Sequence, residues 1–215
     1  MERRPAHELA VFLVRHGESV ANRENRIVSH RGDPELTPEG LREVQALANL
    51  WRDAPVTAVY SSRLSRTRTT AEAFLPPGQQ VHIDDRLHEI GLGRWDGRIV
   101  EDIEREERER YHAWKADPEL GAPEGGEKLS EVAQRMQAFL DAVRSQYAAP
   151  ALIVAATHSD CLKAVALSIL GAPWNSAEWL HLTNLAGLYL VWRARHWQLM
   201  MHPMLFRVSD PGTSV

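Results

Sequence analysis

An arginine and a histidine stand side by side, Arg15-His16, at the end of a short apolar run from Leu9 to Val14. A second histidine, His158, follows another such run from Leu152 to Ala156. Runs of that length bounded by polar residues read as buried strands, and open α/β sheets bind ligands at the carboxyl ends of their strands. Two strand ends can therefore bring a guanidinium and two imidazoles to one site. Such a set suits phosphoryl transfer, because a guanidinium grips phosphate oxygens bidentately and a neutral imidazole can attack phosphorus. A phosphate monoester near neutral pH carries about −1.5 to −2 charges, so several fixed donors are needed before a nucleophile can approach. Arg15 is one, and Arg63, Arg66 and Arg68 are candidates for a second.

The frame that positions these groups is legible as alternating strand-like and helix-like segments. Leu9-Val14, Val56-Tyr60, Leu152-Ala156 and Leu185-Trp192 read as strands, and helices between them give the pattern of a doubly wound sheet. Thr37-Pro38-Glu39 reads as an N-cap, a first-turn proline and an early acid. Leu41, Val44, Leu47, Ala48 and Trp51 then make one apolar face, expected to cover the first strands. A second amphipathic helix runs through Leu129, Val132, Met136, Phe139, Leu140, Val143 and Tyr147, and a third through Leu162, Val165, Ala166 and Ile169, stopped by Gly171 and Pro173. Between Arg98 and Ala116 charge dominates. The pairs Glu101/Arg105, Glu104/Arg108 and Glu106/Arg110 predict a solvated helix laced by i,i+4 contacts. Pro118 and the stretch Gly121 to Gly126 then read as a loop, and the tail from Ser209 as frayed.

Composition narrows the function classes. The chain has 215 residues, 44% of them hydrophobic, and a net charge of −4. That is enough for one buried core and carries no footprint for nucleic acid. A single cysteine, Cys161, makes no intrachain disulfide and no zinc motif. The opening Met1-Glu2-Arg3-Arg4-Pro5 lacks the apolar core of a signal peptide, and no apolar run approaches a membrane span. These readings predict a cytoplasmic protein with no metal and no membrane partner.

Leu13-Val14-Arg15-His16-Gly17-Glu18-Ser19 with Asn22 resembles the signature of the histidine phosphatase superfamily, phosphoglycerate mutase-like branch. The resemblance continues through Ser62-x-Leu64-x-Arg66-x-x-x-Thr70-Ala71, Leu87-His88-Glu89 with Gly93-x-Trp95-Asp96-Gly97, Gly125-Gly126-Glu127 and Ala155-x-x-His158. It implies a three-layer αβα sandwich with a mostly parallel central sheet. Residues 1–215 would form a single domain, with a helical lid-like insert at about 98–128.

The resemblance also implies roles. His16 would form a phosphohistidine, with a backbone carbonyl such as that of Gly17 holding its other ring nitrogen. Arg15, Arg66, Asn22, His158 and the Ser159 N–H would bind the phosphoryl group. Arg66 is preferred because it alone fits the family spacing. Glu89 would protonate the leaving group, with Asp160 as the rival, since the other branch places its acid immediately after the second histidine. Ser159 stands where the family usually has glycine. Glu18 and Glu127 read as structural or substrate-contacting, and Arg31, Arg94 and Arg98 as surface charge or an extension of the positive surface. His7, His82, His181, His196 and His202 read as structural. Tyr111, His112 and Trp114 would face the organic group of the substrate, with anchoring of the insert the favoured role for Trp114.

The implied activity is hydrolysis of a small-molecule phosphate monoester, without metal or cofactor. The alternatives are a cofactor-dependent phosphoglycerate mutase primed by 2,3-bisphosphoglycerate, a protein-directed phosphohistidine phosphatase and a non-catalytic phosphoester-binding member. The last is disfavoured because anion binding alone has no use for Glu89. Dimers are frequent among relatives, and seven tryptophans offer material for a homodimer interface.

Overall fold

Seven residues from Leu9 form strand β1 (Leu9–Arg15), of which the first six are buried, as a central strand covered on both faces requires. The computed structural model describes residues 8–120 and 122–200. Met1–Pro5, His7, Gly121, His202 and the tail from Ser209 lie outside the described residues. The other strands are β2 (Ala58–Ser61), β3 (His82–Ile83), β4 (Ala151–Thr157), β5 (Gly187–Arg193) and β6 (His196–Met200). They form one sheet in the order β3-β2-β4-β1-β5-β6. The pairs β1–β4, β2–β4 and β2–β3 are parallel, while β5 runs antiparallel to β1 and to β6.

Alternation along the strands divides the core. Leu9, Val11 and Leu13 of β1 join Ile153 and Ala155 of β4 and Leu188 and Leu190 of β5 on one face. Ala10, Phe12 and Val14 join Val154, Ala156, Tyr189 and Val191 on the other. The first face is covered by α6 (Leu129–Gln146) and α7 (Ser159–Leu170), and the second by α2 (Pro38–Leu50) and α3 (Ser65–Glu72). The result is the three-layer α/β arrangement that the resemblance implies.

The helix signals act as read. Thr37 caps α2 by accepting from the Gly40 N–H at 3.0 Å. Leu129 through Val143 of the α6 stripe are buried, and Gly171 ends α7 at φ +63°, the left-handed stop that favours glycine. Three readings are corrected. Leu41 is 46% exposed, because α2 faces the sheet through Val44, Ala48 and Trp51 and Leu41 falls outside that stripe. The last long strand starts at Gly187 rather than Leu185, since Leu185 takes φ +62°, which extended backbone excludes. The insert is two helices, α4 (Val100–Glu106) and α5 (Arg108–Ala116), broken at Glu107. The break carries Glu104/Arg108 and Glu106/Arg110 out of helical register, and the pairs formed are instead Arg105–Asp102, Arg98–Glu106, Arg94–Glu107 and His112–Glu104. Glu101 pairs with Asn25 rather than Arg105.

Candidate active site

The pairing of β1 with β4 sets Arg15 opposite Thr157. The chain therefore leaves both strands at the same sheet edge with His16 and His158 side by side, their ring centroids 5.2 Å apart. The His16 peptide N–H donates to the Thr157 carbonyl at 3.1 Å. Ser19 and Asn22 form a capping box on the single turn α1 (Val20–Arg23). Asn22 Oδ1 accepts from Ser19 N at 3.0 Å and from Asn184 Nδ2 at 3.2 Å, which leaves the amide Nδ2 as its free donor. The loop rests on α2, where a Cβ on Gly40 would stand 2.2 Å from the Glu18 carbonyl oxygen. Only glycine permits that approach.

A cavity of about 190 Å³ opens here, lined by Arg15, His16, Asn22, Arg66, Glu89, Trp114, Ser159 and Asp160 among others. His16 Nδ1 donates to the Gly17 carbonyl at 2.7 Å, the partner foreseen from sequence. Its Nε2 accepts from Arg66 Nε at 3.2 Å, so the ring carries its proton on Nδ1 and keeps a lone pair on Nε2. Burial first, then the charges of Arg66 and Arg15, hold the His16 pKa well below the usual histidine value. Arg66 spends Nη2 on the Val28 carbonyl at 2.8 Å and Arg15 spends Nη1 on that of Leu182 at 2.5 Å. Arg66 Nη1 and Arg15 Nε are buried with no partner among the described residues. Two orphaned guanidinium nitrogens beside a neutral imidazole are donors suited to an anion. Arg63 and Arg68 face away, onto Asp85 and Ser65.

Glu89 follows a 3₁₀ turn at Asp85–Leu87. Its Oε1 accepts from the Ile90 N–H at 2.9 Å and its Oε2 lies 4.0 Å from His158 Nδ1. Burial, and secondarily the Asp160 charge, push its pKa up to about 7 against the pull of the Ile90 N–H, Arg66 and Arg15. Asp160 lines the same cavity and pairs with Lys163 at 3.3 Å. Ser159 begins α7, and serine serves there because no left-handed backbone is required.

Glu127 braces the loop and also lines a larger cavity beside Glu89. It accepts from the Gly91 N–H at 3.1 Å and binds Arg135 through both oxygens at 2.7 and 3.0 Å, which clamps the segment bearing Glu89. Glu18 likewise holds Thr37 and Arg23. A second cavity of about 1270 Å³ borders Glu89 and takes in His30, Arg31, His88 and Arg94. Trp114 reaches the small cavity while packing edge-to-face on the buried Trp95 at 5.8 Å. Tyr111 and His112 do not reach it: Tyr111 packs on Trp95, and His112 turns outward to Glu104 at 3.2 Å. His82, His181 and His196 line neither cavity.

Sequence reasoning missed four polar residues that brace the site. Thr70 Oγ1 accepts from the Gly17 N–H at 3.1 Å, Asn184 donates to the His16 carbonyl at 3.0 Å, and Ser62 and Thr67 stand behind His158. Ser62 and Thr70 are named positions of the quoted motif Ser62-x-Leu64-x-Arg66-x-x-x-Thr70-Ala71 and Thr67 lies within it, which was their only signal; Asn184 has none. Among the described residues no cluster of three or more His, Cys, Asp or Glu is placed to hold a metal ion, and no helix is long and apolar enough to cross a membrane.

Comparisons with known proteins agree with this geometry. The chain is 35% identical to a probable phosphoglycerate mutase of Erwinia tasmaniensis over 82% of its length and 81% of that protein. It is 32% identical to phosphoserine phosphatase 1 of Hydrogenobacter thermophilus over 75% and 76% of the two chains. It superposes on the mycobacterial glucosyl-3-phosphoglycerate phosphatase solved with VO3 at a TM-score of 0.78 and 25% identity, covering 89% and 96% of the two chains. The family model for the histidine phosphatase superfamily, branch 1, matches residues 11–203, and with the paired histidines at one sheet edge the chain belongs to that superfamily.

Proposed function

We propose that this protein hydrolyses a small-molecule phosphate monoester through a phosphohistidine formed on His16, with no metal taking part. The observation that carries the reading is the pair of buried, unpartnered guanidinium nitrogens beside the neutral His16 ring. The phosphate occupies the small cavity, taking hydrogen bonds from Arg15, Arg66, Asn22, His158 and the Ser159 N–H. Arg66 Nε releases His16 Nε2 as the guanidinium turns to the anion. Nε2 then bonds to phosphorus as the ester P–O bond breaks, and Glu89 gives its proton to the leaving oxygen so that an alcohol departs. In the second half Glu89, now a carboxylate, takes a proton from water. The water oxygen bonds to phosphorus as the N–P bond breaks, which releases inorganic phosphate and restores both residues.

The net charge of −4 supports a free metabolite rather than nucleic acid as substrate. The reading includes a cytoplasmic location, one catalytic domain with its insert, and a homodimer as the assembly to test. The test is phosphate release from p-nitrophenyl phosphate and a panel of metabolite phosphates in EDTA, with His16→Ala beside the wild type. Turnover that survives the substitution removes His16 as nucleophile, and turnover lost in EDTA removes the metal-free route.

A mutase is the second reading, favoured by the relative named a probable phosphoglycerate mutase. Mutase action requires the phosphohistidine to outlast water. Burst phosphorylation by 2,3-bisphosphoglycerate with slow phosphate release would select it.

A further inference from the structure

Ser62 and Thr67 have no part in that reaction, yet both are fully buried and their hydroxyls stand in line behind His158. His158 Nε2 lies 3.0 Å from Ser62 Oγ, Ser62 Oγ lies 2.7 Å from Thr67 Oγ1, and Thr67 Oγ1 lies 2.7 Å from the Leu64 carbonyl. The Leu64 N–H donates to Ser62 Oγ at 3.4 Å. On the other side of the ring, Nδ1 is 3.4 Å from Arg66 Nη2 and 4.0 Å from Glu89 Oε2.

Counting protons gives this chain one direction. A guanidinium only donates, so Nδ1 meets Arg66 as an acceptor and the neutral ring carries its proton on Nε2. Nε2–H donates to Ser62 Oγ, the Ser62 hydroxyl to Thr67 Oγ1, and the Thr67 hydroxyl to the Leu64 carbonyl. Ser62 Oγ then has two incoming donors and one outgoing, its full complement. Reversing the chain would set Nδ1–H against the Arg66 donor and turn the Thr67 hydroxyl away from the Leu64 carbonyl, at the cost of unpaired buried groups.

Nδ1 is the nitrogen that faces Arg66 and Glu89, both of which line the small cavity. A phosphoryl oxygen accepts hydrogen bonds, and a bare lone pair offers it none. We propose that Ser62 and Thr67 are positioning residues that hold the His158 proton on Nε2, so that an oxyanion binds in this cavity together with one proton taken up at Nδ1. The proposal rests on the reading of the cavity as the phosphate site. In the complex His158 is an imidazolium donating at both ends, to the hydroxyl chain and to the anion, the added proton coming from solvent.

The charged and titratable groups that bear on the ring come from every element around it. His16 and Arg15 stand at the end of β1, Arg66 on α3, His88 and Glu89 after the 3₁₀ turn, Arg135 on α6 and Asp160 on α7. Burial, Arg66, His16, His88 and Arg135 all favour the neutral ring. The incoming dianion reverses that balance.

The probe is tungstate, an oxyanion already fully deprotonated near neutral pH, so that protons taken up on binding belong to the protein. Imidazole nitrogen NMR of histidine-labelled wild type should change the His158 signals from the Nε2–H tautomer to the imidazolium on titration, with His158→Gln supplying the assignment. In Glu89→Gln protein, where that carboxylate cannot take the proton, tungstate affinity should fall about tenfold per pH unit above neutrality. Adding Ser62→Ala or Thr67→Val should flatten that dependence, because the ring can then present a neutral Nδ1–H. A wild-type complex with His158 neutral and protonated on Nδ1 overturns the proposal and leaves the phosphatase reading intact, as does a pH slope unchanged in both variants. Failure of tungstate to bind, with no phosphate released from p-nitrophenyl phosphate, takes away both.

Discussion

The floor of the small cavity and the insert above it are built on opposite principles. The floor is made of strand ends and helix starts. His16, Arg66 and His158 are buried there and braced by Thr70, Ser62, Thr67, Asn184 and backbone carbonyls. The insert helices α4 and α5 bury little: α5 has no buried residue, and its grip on the body comes from Tyr111 and Trp114 against Trp95. Its ion pairs are mostly exposed, a class worth roughly 0–1 kcal/mol each. Chemistry that depends on atomic positions sits where the ring nitrogens of His16 and His158 have fixed partners and the unpartnered donors, Arg66 Nη1 and Arg15 Nε, are held by the rest of their guanidinium groups. The insert, by contrast, is a segment whose surface can change at little cost to the fold.

That contrast makes substitutions in the floor the most damaging. His16→Ala should lower turnover by roughly 10⁴-fold or more, since the covalent intermediate forms on that ring. A smaller loss, measured as phosphate release, would mean that binding in the floor carries most of the rate. Glu89→Gln comes next. General acid help is worth about 10²- to 10⁴-fold where the leaving group needs a proton, so alkyl phosphates should lose that much and p-nitrophenyl phosphate less than about tenfold. The acid acts in its protonated form, and burial with Asp160 nearby raises its pKa to about 7. Wild-type turnover of alkyl phosphates should therefore fall as pH rises through that value, and the variant should lose this limb. Equal losses on both substrates would remove Glu89 as the acid.

The floor was also the more legible region. Arg15, His16 and His158 announce themselves because two apolar runs end on them, and a parallel pairing of those runs leaves one place for both histidines. Arg66 and Glu89 needed the spacing of known relatives, since periodicity alone does not separate Arg66 from Arg63 and Arg68. Asn184 was invisible: its role depends on the antiparallel return of β5 beside β1, a tertiary fact with no local pattern. The insert misled for the opposite reason. Its i,i+4 pattern is real in the sequence, but the backbone breaks at Glu107, where Arg94 and Arg98 draw the carboxylate back toward the body. A longer-range contact overrode a local preference worth a few tenths of a kcal/mol.

Trp114 tests the boundary between the two regions. It belongs to the insert but lines the cavity, and its indole N–H is buried without a partner among the described residues. Trp114→Phe keeps a ring against Trp95 and removes that donor. Losing one neutral hydrogen bond should raise KM about twofold to tenfold, with kcat within about twofold. A kcat loss on the scale of Glu89→Gln would place this part of the insert in the chemistry itself.

The smallest effect separates two neighbours on α2. Leu41 is 46% exposed, whereas Val44 is 2% exposed and its Cγ2 lies 2.7 Å from where a Cβ on Gly17 would stand. Both fall on the apolar stripe read from sequence, but only Val44 presses on the loop that carries His16. Leu41→Gln should change stability by no more than about 0.5 kcal/mol, read by denaturant unfolding, and leave kcat/KM untouched. Val44→Ala should cost roughly 2 kcal/mol and lower kcat as well, because the cavity it leaves lies directly under the nucleophile's turn. If the two variants behaved alike, the precision of the floor would owe nothing to the packing of α2, and the hydrogen bonds around His16 would have to hold it alone.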